Sequence, residues 1–264
     1  MMKCVYAAVV VGTSLIRNAY SDGFISAEYR DMVSKALSRD ISVDSVLAKL
    51  ALGSNLLNAL TDYISIKGKS CCAELATLYS IKDLVNQQVR SELFSTDSGV
   101  AELAMKALAS SISKSNVAEL VGYARIKLFG GGDLGSGLLH LLNTMGKSLI
   151  NEVSMGCDAY VGMSGGIKPE AVMASMVAWL VGAKLVYVSE DGKPLIFPRL
   201  PLGFRGDALE ALCMVKNGLN PSGDVVNELV DAGLLVRDGG LRVVEWVGKL
   251  LELNNMCISQ RGMH

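Results

Sequence analysis

Two apolar runs that stop abruptly in small, hydroxyl-bearing turns constrain this chain more than any other feature. The first is Ala7-Ala8-Val9-Val10-Val11, closed by Gly12-Thr13-Ser14. The second is Tyr160-Val161-Gly162-Met163, closed by Ser164-Gly165-Gly166-Ile167-Lys168-Pro169-Glu170. Short valine-rich runs of this kind read as strands buried on both faces, the habit of a parallel sheet. In an open α/β sheet, ligands bind in the crevice beyond the carboxyl ends of the strands. The two turns are therefore expected to be two walls of one pocket, suited to something that carries phosphates.

The rest of the chain fits an α/β reading. Strand-like runs occupy residues 4–12, 89–95, 119–127, 158–163 and 184–189, with a short antiparallel addition at 195–197 after the turn Glu190-Asp191-Gly192. Helical spacing fills the gaps at 26–37, 43–64, 69–84, 100–112, 138–152 and 169–181. Alternation of this sort predicts a Rossmann-like, mostly parallel central sheet with helices on both faces. Arg199-Leu200-Pro201-Leu202-Gly203 breaks the pattern. A domain boundary is expected there, with residues 1–200 forming the Rossmann-like domain and 201–264 a small second one. The second reads as helix (207–216), helix (222–232), a hairpin around Asp238-Gly239-Gly240, and a closing helix (245–253). That order is the pattern of a winged helix.

Charge argues against nucleic-acid reading by this second segment. The whole chain carries a formal charge of -1. Between residues 205 and 264 there are six basic residues against eight acidic ones. The helix at 222–232 contains Asp224, Glu228 and Asp231 and no Lys or Arg. A DNA reader needs cations to neutralise phosphates, so DNA binding is not expected, and the segment reads as a packing or dimerisation module. Mean hydropathy is high, at +0.36. Yet the longest apolar window, 171–183, is shorter than the roughly 20 residues a bilayer crossing takes, and a cytoplasmic chain without a membrane segment is expected.

Six cysteines contain no C-x-x-C pair and are expected to be buried, reduced thiols. The only histidines are His140 and His264, which removes histidine-pair chemistry and most transition-metal sites. No metal and no cofactor are expected. His140 lies on an apolar helical stretch and reads as a satisfied core residue.

At the first turn, Gly12 allows close backbone approach to a ligand, while Thr13 and Ser14 offer hydroxyls and N–H groups. The turn matches neither a dinucleotide fingerprint nor a P-loop. Ser14 either caps the following helix or meets a ligand; the turn by itself leaves both readings open. At the second turn, Pro169 suits the first turn of a helix. Ser164, Gly165 and Gly166 leave the loop free to wrap a phosphate at that helix's positive end, and Lys168 adds a full charge. The loop Thr96-Asp97-Ser98-Gly99 ends another strand, which places Asp97 and Ser98 along the same crevice. Arg125 and Lys127 could face phosphates or be plain edge charges. The glycine-rich run at 129–137 reads as a cover for the site or as a mobile connector.

These residues, Gly12-Thr13-Ser14 with Asn18, then Ser164-Gly165-Gly166-Ile167-Lys168-Pro169-Glu170 and Lys184-Leu185-Val186-Tyr187-Val188-Ser189-Glu190, resemble the archaeal CRISPR-associated ring nucleases. Ala73-Glu74-Leu75 also looks like a segment of that family. The resemblance implies a CRISPR-associated Rossmann-fold (CARF) domain followed by a winged-helix domain, and a homodimer. It implies cyclic tetra-adenylate as ligand, cut without metal to linear di-adenylate ending in a 2′,3′-cyclic phosphate. It places the family's serine on Ser14 and its lysine on Lys168, the two residues expected to be catalytic. Gly12, Thr13, Asn18, Asp97, Ser98, Ser164, Gly165 and Gly166 are expected to bind the ligand. Chemically, a ribose 2′-hydroxyl can attack its own 3′-phosphodiester if a protein aligns it and holds the developing charge. The competing reading is a sensor of the same architecture that regulates transcription without cutting. A ribonuclease effector would need an arginine–histidine motif near the C-terminus, where His264 is the only histidine.

Overall fold

The computed structural model describes residues 4–127, 133–166, 168–189, 192–200 and 202–257. The central strand, β1 (Val5–Val11), is buried along its whole length. Its odd members Val5, Ala7, Val9 and Val11 enter one apolar layer, and Tyr6, Ala8 and Val10 enter the other. A strand covered on both faces must be apolar at every position, and this one is.

After β1 come α1 (Ser14–Ser21), α2 (Ala27–Leu37), α3 (Asp44–Leu50), α4 (Asn55–Lys67) and α5 (Ala73–Val85). Then follow β2 (Arg90–Thr96), α6 (Gly99–Lys114), β3 (Glu119–Ile126), α7 (Leu134–Ser154), β4 (Asp158–Gly162), α8 (Lys168–Val181), β5 (Lys184–Val188) and β6 (Pro194–Phe197). Among the described residues the main sheet has the order β3-β2-β1-β4-β5-β6, all parallel except β6. The chain moves outward from β1 through β2 to β3, then returns to place β4 on the other side of β1. The sheet therefore has its switch point between β1 and β4, where the two small-residue turns emerge. Helices α1–α6 supply the layer on one face, and α7 and α8 supply the other.

The remaining chain forms α9 (Gly206–Lys216), α10 (Asp224–Asp231), a hairpin of β7 (Leu235–Arg237) and β8 (Leu241–Val243), and α11 (Glu245–Leu253). It is tied to α7. Trp246 is 1% exposed and donates its indole N–H to Asn143 at 2.8 Å. Gly146 makes room for it: a Cβ there would sit 2.7 Å from the ring. Lys147 pairs with Glu245 and Lys249 bonds Asn151. The apolar residues of α9–α11 join the same layer as Tyr6, Ala8 and Val10.

Three sequence expectations are corrected. The cysteines are not all reduced: Cys4 bonds Cys157 and Cys213 bonds Cys257, leaving Cys71 and Cys72 as free thiols. Cys4 and Cys157 immediately precede the paired strands β1 and β4, which brings their Cα atoms within 4.4 Å. That pairing depends on parallel register and leaves no spacing signature. The helix expected over 43–64 is two helices, broken at Gly53 (φ 155°) and restarted by Ser54, whose hydroxyl accepts from the Leu57 N–H at 3.0 Å. A helix also starts directly at Ser14, ahead of the one expected from residue 26. The glycine-rich cover at 129–137 falls partly outside the described residues, and its last part, from Leu134, opens α7. The turn residues Glu190 and Asp191, and His264, lie outside the described residues. No helix among those described is long and apolar enough to cross a membrane.

Candidate functional site

The two turns expected to be two walls of one pocket pack directly against each other, with almost no space between them. A Cβ placed on Gly12 would lie 2.5 Å from the backbone nitrogen of Gly166. Gly165 is equally confined, since a Cβ there would lie 2.5 Å from Oε1 of Glu74. Gly166 adopts φ 81°, a conformation glycine enters freely. Small residues occur at all three positions because two strand-end loops cross at backbone distance.

A third element clasps them from beneath. Helix α5 brings Glu74 and Thr77 to one face, three residues apart. Glu74 is 1% exposed and uses both oxygens: Oε1 accepts from the Gly12 N–H at 2.8 Å, and Oε2 accepts from the Ser14 hydroxyl at 2.5 Å. Its place in the first turn of α5 favours a negative charge there. Ser14 Oγ in turn accepts the otherwise unpaired Ala73 N–H at 3.2 Å. Thr77 donates to the Ala73 carbonyl at 2.8 Å and lies 2.7 Å from Ser164 Oγ, which accepts the Val188 N–H at 2.8 Å. One helix thus ties the ends of β1, β4 and β5 together.

The expected site residues separate into two groups. Gly12, Ser14, Ser164, Gly165 and Gly166 meet at the switch point. Asn18 lies one turn further along α1, where its amide donates to the Cys71 carbonyl at 3.0 Å, bracing α1 against the start of α5. Thr13 precedes α1 and makes no side-chain cap; the first N–H groups of an α-helix have no intrahelical acceptor. Lys168 is exposed at the first residue of α8. Ser98 caps α6 by accepting the Ala101 N–H at 3.4 Å, and the Asp97 carbonyl takes a bond from Arg125 at 2.9 Å. Arg125 also pairs with Glu102, so it braces the β2–α6 loop. His140 is half-buried and accepts the Lys127 N–H at 3.1 Å through Nδ1.

Glu74 is the residue whose role the sequence understated. The signal was an acid among mostly apolar residues, Ala73 to Leu78, and the geometry makes it the keystone of both turns. Cys71 and Cys72 lie beside it, with their sulfurs 3.3 Å apart. Burial above all, then the Cys71 hydrogen bond and the Glu74 charge, pushes the Cys72 thiol well above its usual range. Both thiols are buried structural groups. Elsewhere among the described residues, Cys4, Glu152 and Cys157 gather at ligand spacing. They sit at the opposite, amino ends of β1 and β4; the two sulfurs are bonded to each other, and Glu152 pairs with Arg90 at 2.5 Å.

Residues 69–201, half of the chain, match the family described as CRISPR-associated protein (Cas_APE2256). The matched span carries Glu74, Ser164, Gly165 and Lys168 and stops short of Ser14. Among solved structures, the chain is similar to Can2 from Sulfobacillus thermosulfidooxidans in complex with cyclic tetra-adenylate, at 11% identity and a TM-score of 0.29. That likeness covers 68% of this chain and 61% of the other, and it is too remote to say what this chain binds.

Proposed function

This chain belongs to the CRISPR-associated Cas_APE2256 family, and from that premise we propose that it is a ring nuclease that binds cyclic tetra-adenylate and cuts it. The product is linear di-adenylate with a 2′,3′-cyclic phosphate, which silences the signal the ring carries. The observation that carries the reading is the backbone contact between Gly12 and Gly166 at the switch point. It brings the N-terminus of α1 and the turn that leads into α8, which Lys168 opens, to the same end of the sheet, and helix N-termini favour anions.

The chemistry asks little else of the protein. The nucleophile is the substrate's own 2′-hydroxyl, so no serine or water need attack. Lys168 neutralises the charge that builds on the phosphorane as the 5′-oxygen departs, and Ser14 holds the sugar. Neither role calls for a metal. A ring with two-fold symmetry suits a homodimer in which each protomer supplies the same lysine. The stripe Lys168, Val172 and Met176 on α8 supports that arrangement. Val172 and Met176, four and eight residues after Lys168 on α8, are 61% and 50% exposed, and a second protomer would cover them.

In this reading residues 1–200 are the CARF domain and 201–264 a winged helix that braces α7 and leaves DNA alone. The charges support this. Arg205 pairs with Asp207 and Glu228, Lys216 with Glu252, Arg242 with Asp238 and Lys249 with Glu245, while Arg237 bonds Asn227. Few cations are left to neutralise phosphates. The test is Lys168→Ala. It should keep the wild-type melting curve and lose ring cleavage in EDTA; retained cleavage would reject the assignment.

A further inference from the structure

Ser14 has one proton, and the structure shows where it goes. The hydroxyl donates to Oε2 of Glu74 at 2.5 Å, the short distance of a charge-assisted bond. A serine oxygen also offers two lone pairs, and one of these takes the Ala73 N–H at 3.2 Å. A single acceptor position remains, on a side chain that is half-buried at the crevice. A phosphate oxygen carries no proton and has nothing to give that position. A sugar hydroxyl does.

Glu74 cannot easily turn away to release Ser14. It is 1% exposed and its other oxygen is held by the Gly12 N–H at 2.8 Å. A Cβ at Gly165 would lie 2.5 Å from that same oxygen, so the second turn closes over it. The charged neighbours facing it are few. Glu170, 3% exposed, lies under Gly166, and Lys168 stands outside on α8.

Resting on the ring-nuclease reading above, we propose that Ser14 and Glu74 form a two-proton relay that deprotonates the attacking 2′-hydroxyl. The 2′-O–H bond breaks and its proton goes to Ser14 Oγ, while the serine's own proton goes to Glu74 Oε2. The 2′-oxygen bonds to phosphorus and the bond from phosphorus to the 5′-oxygen breaks. The leaving 5′-oxygen takes a proton from the Lys168 ammonium, which solvent recharges. Glu74 returns its proton to Ser14, and Ser14 returns one to solvent, when product leaves. No oxidation or reduction occurs, and the diester becomes a cyclic diester plus an alcohol. Ser14 touches the substrate; Glu74 acts through it and is a positioning residue.

The test is a double-mutant cycle on ring cleavage in EDTA, using the full chain, wild type, Ser14→Ala, Glu74→Gln and the pair. Gln keeps the shape and the bond to the Gly12 N–H but cannot take the serine's proton. The relay predicts that each single variant lowers kcat by on the order of 100-fold, within the roughly 10²–10⁴-fold range of general-base catalysis. KM should stay within about threefold of wild type, and the double variant should be no slower than the slower single one. A normal kcat for Glu74→Gln overturns the relay, and so do losses that multiply in the double variant. If Glu74→Gln does not fold, the wild-type rate in mixtures of light and heavy water decides. The two relay protons together with the one Lys168 donates give a curved dependence on deuterium fraction, and a straight line overturns the proposal. A wild type that leaves the ring intact removes the ring-nuclease reading and the relay together, whereas an active wild type with an unaffected Glu74→Gln removes the relay alone.

Discussion

Replacing Gly12 by alanine tests the geometry on which the crevice depends. The new Cβ would lie 2.5 Å from the Gly166 nitrogen and 3.2 Å from its Cα. Both are backbone atoms, so no side chain can swing aside. Carbon contacts are comfortable at about 3.5–4.0 Å, so the turns must part by about 1 Å. Overpacking of this kind costs about 1–3 kcal/mol. Parting the turns also stretches the 2.8 Å bond from the Gly12 N–H to Glu74, a bond to a charged group worth about 1.5–3 kcal/mol. The loss should total about 2.5–6 kcal/mol, a fall in Tm of roughly 5–24 °C for a chain of this size. Misplacement of about 1 Å can also cost about 100-fold in rate, so ring cleavage should fall further than stability alone explains. The assay is a thermal melt alongside a cleavage time course, with Gly203→Ala as control because a Cβ there meets nothing within 4 Å. A Gly12→Ala protein that melts within about 2 °C of wild type and cleaves normally would refute the reasoning.

Other consequences follow from the C-terminal packing. Trp246→Ala should cost about 3–5 kcal/mol by leaving a cavity against α7 and should expose residues 202–206 to protease; an unchanged melt would show that the indole is not a structural anchor. Gly248→Ala, in α11 with open space around it, should stabilise by up to about 1 kcal/mol, read as a small rise in Tm. Hydrogen bonds from Lys147 and then Lys249 lower the Glu245 carboxyl below its ordinary value. The folded chain therefore keeps that charge further into acid than the unfolded chain does. This contribution is complete above the ordinary glutamate range and fades as pH falls through the lowered folded value. Lys147→Met should accordingly lower Tm at neutral pH and make no difference in strong acid.

How far the sequence was readable depended on the range of each interaction. β1 could be found because a strand covered on both faces must be apolar throughout. The hairpin of β7 and β8 and helix α11 matched the reading to within a residue or two, because Asp238-Gly239-Gly240 and the spacing of Trp246, Val247, Leu250 and Leu251 are local signals. The small residues at 12 and 164–166 point to close approach by a ligand, and in the structure it is the two turns that approach each other. The parts that could not be read are those fixed by partners far along the chain. Ser14 could have been a cap or a ligand contact; it caps α5, 59 residues away, in the bond to Ala73. Cys4 and Cys157 are 153 residues apart and meet only because β1 and β4 pair in register. Glu74 stands out in the sequence only through the family-like segment Ala73-Glu74-Leu75, and its contacts with Gly12 and Gly165 come from partners far along the chain.

The most direct measurement is incubation of the purified full chain with cyclic tetra-adenylate in EDTA, with products identified by mass. The account predicts linear di-adenylate ending in a 2′,3′-cyclic phosphate, made by the wild type and lost in Lys168→Ala. An intact ring after prolonged incubation with folded wild-type protein, or a product bearing a plain 3′-phosphate from the outset, would contradict it.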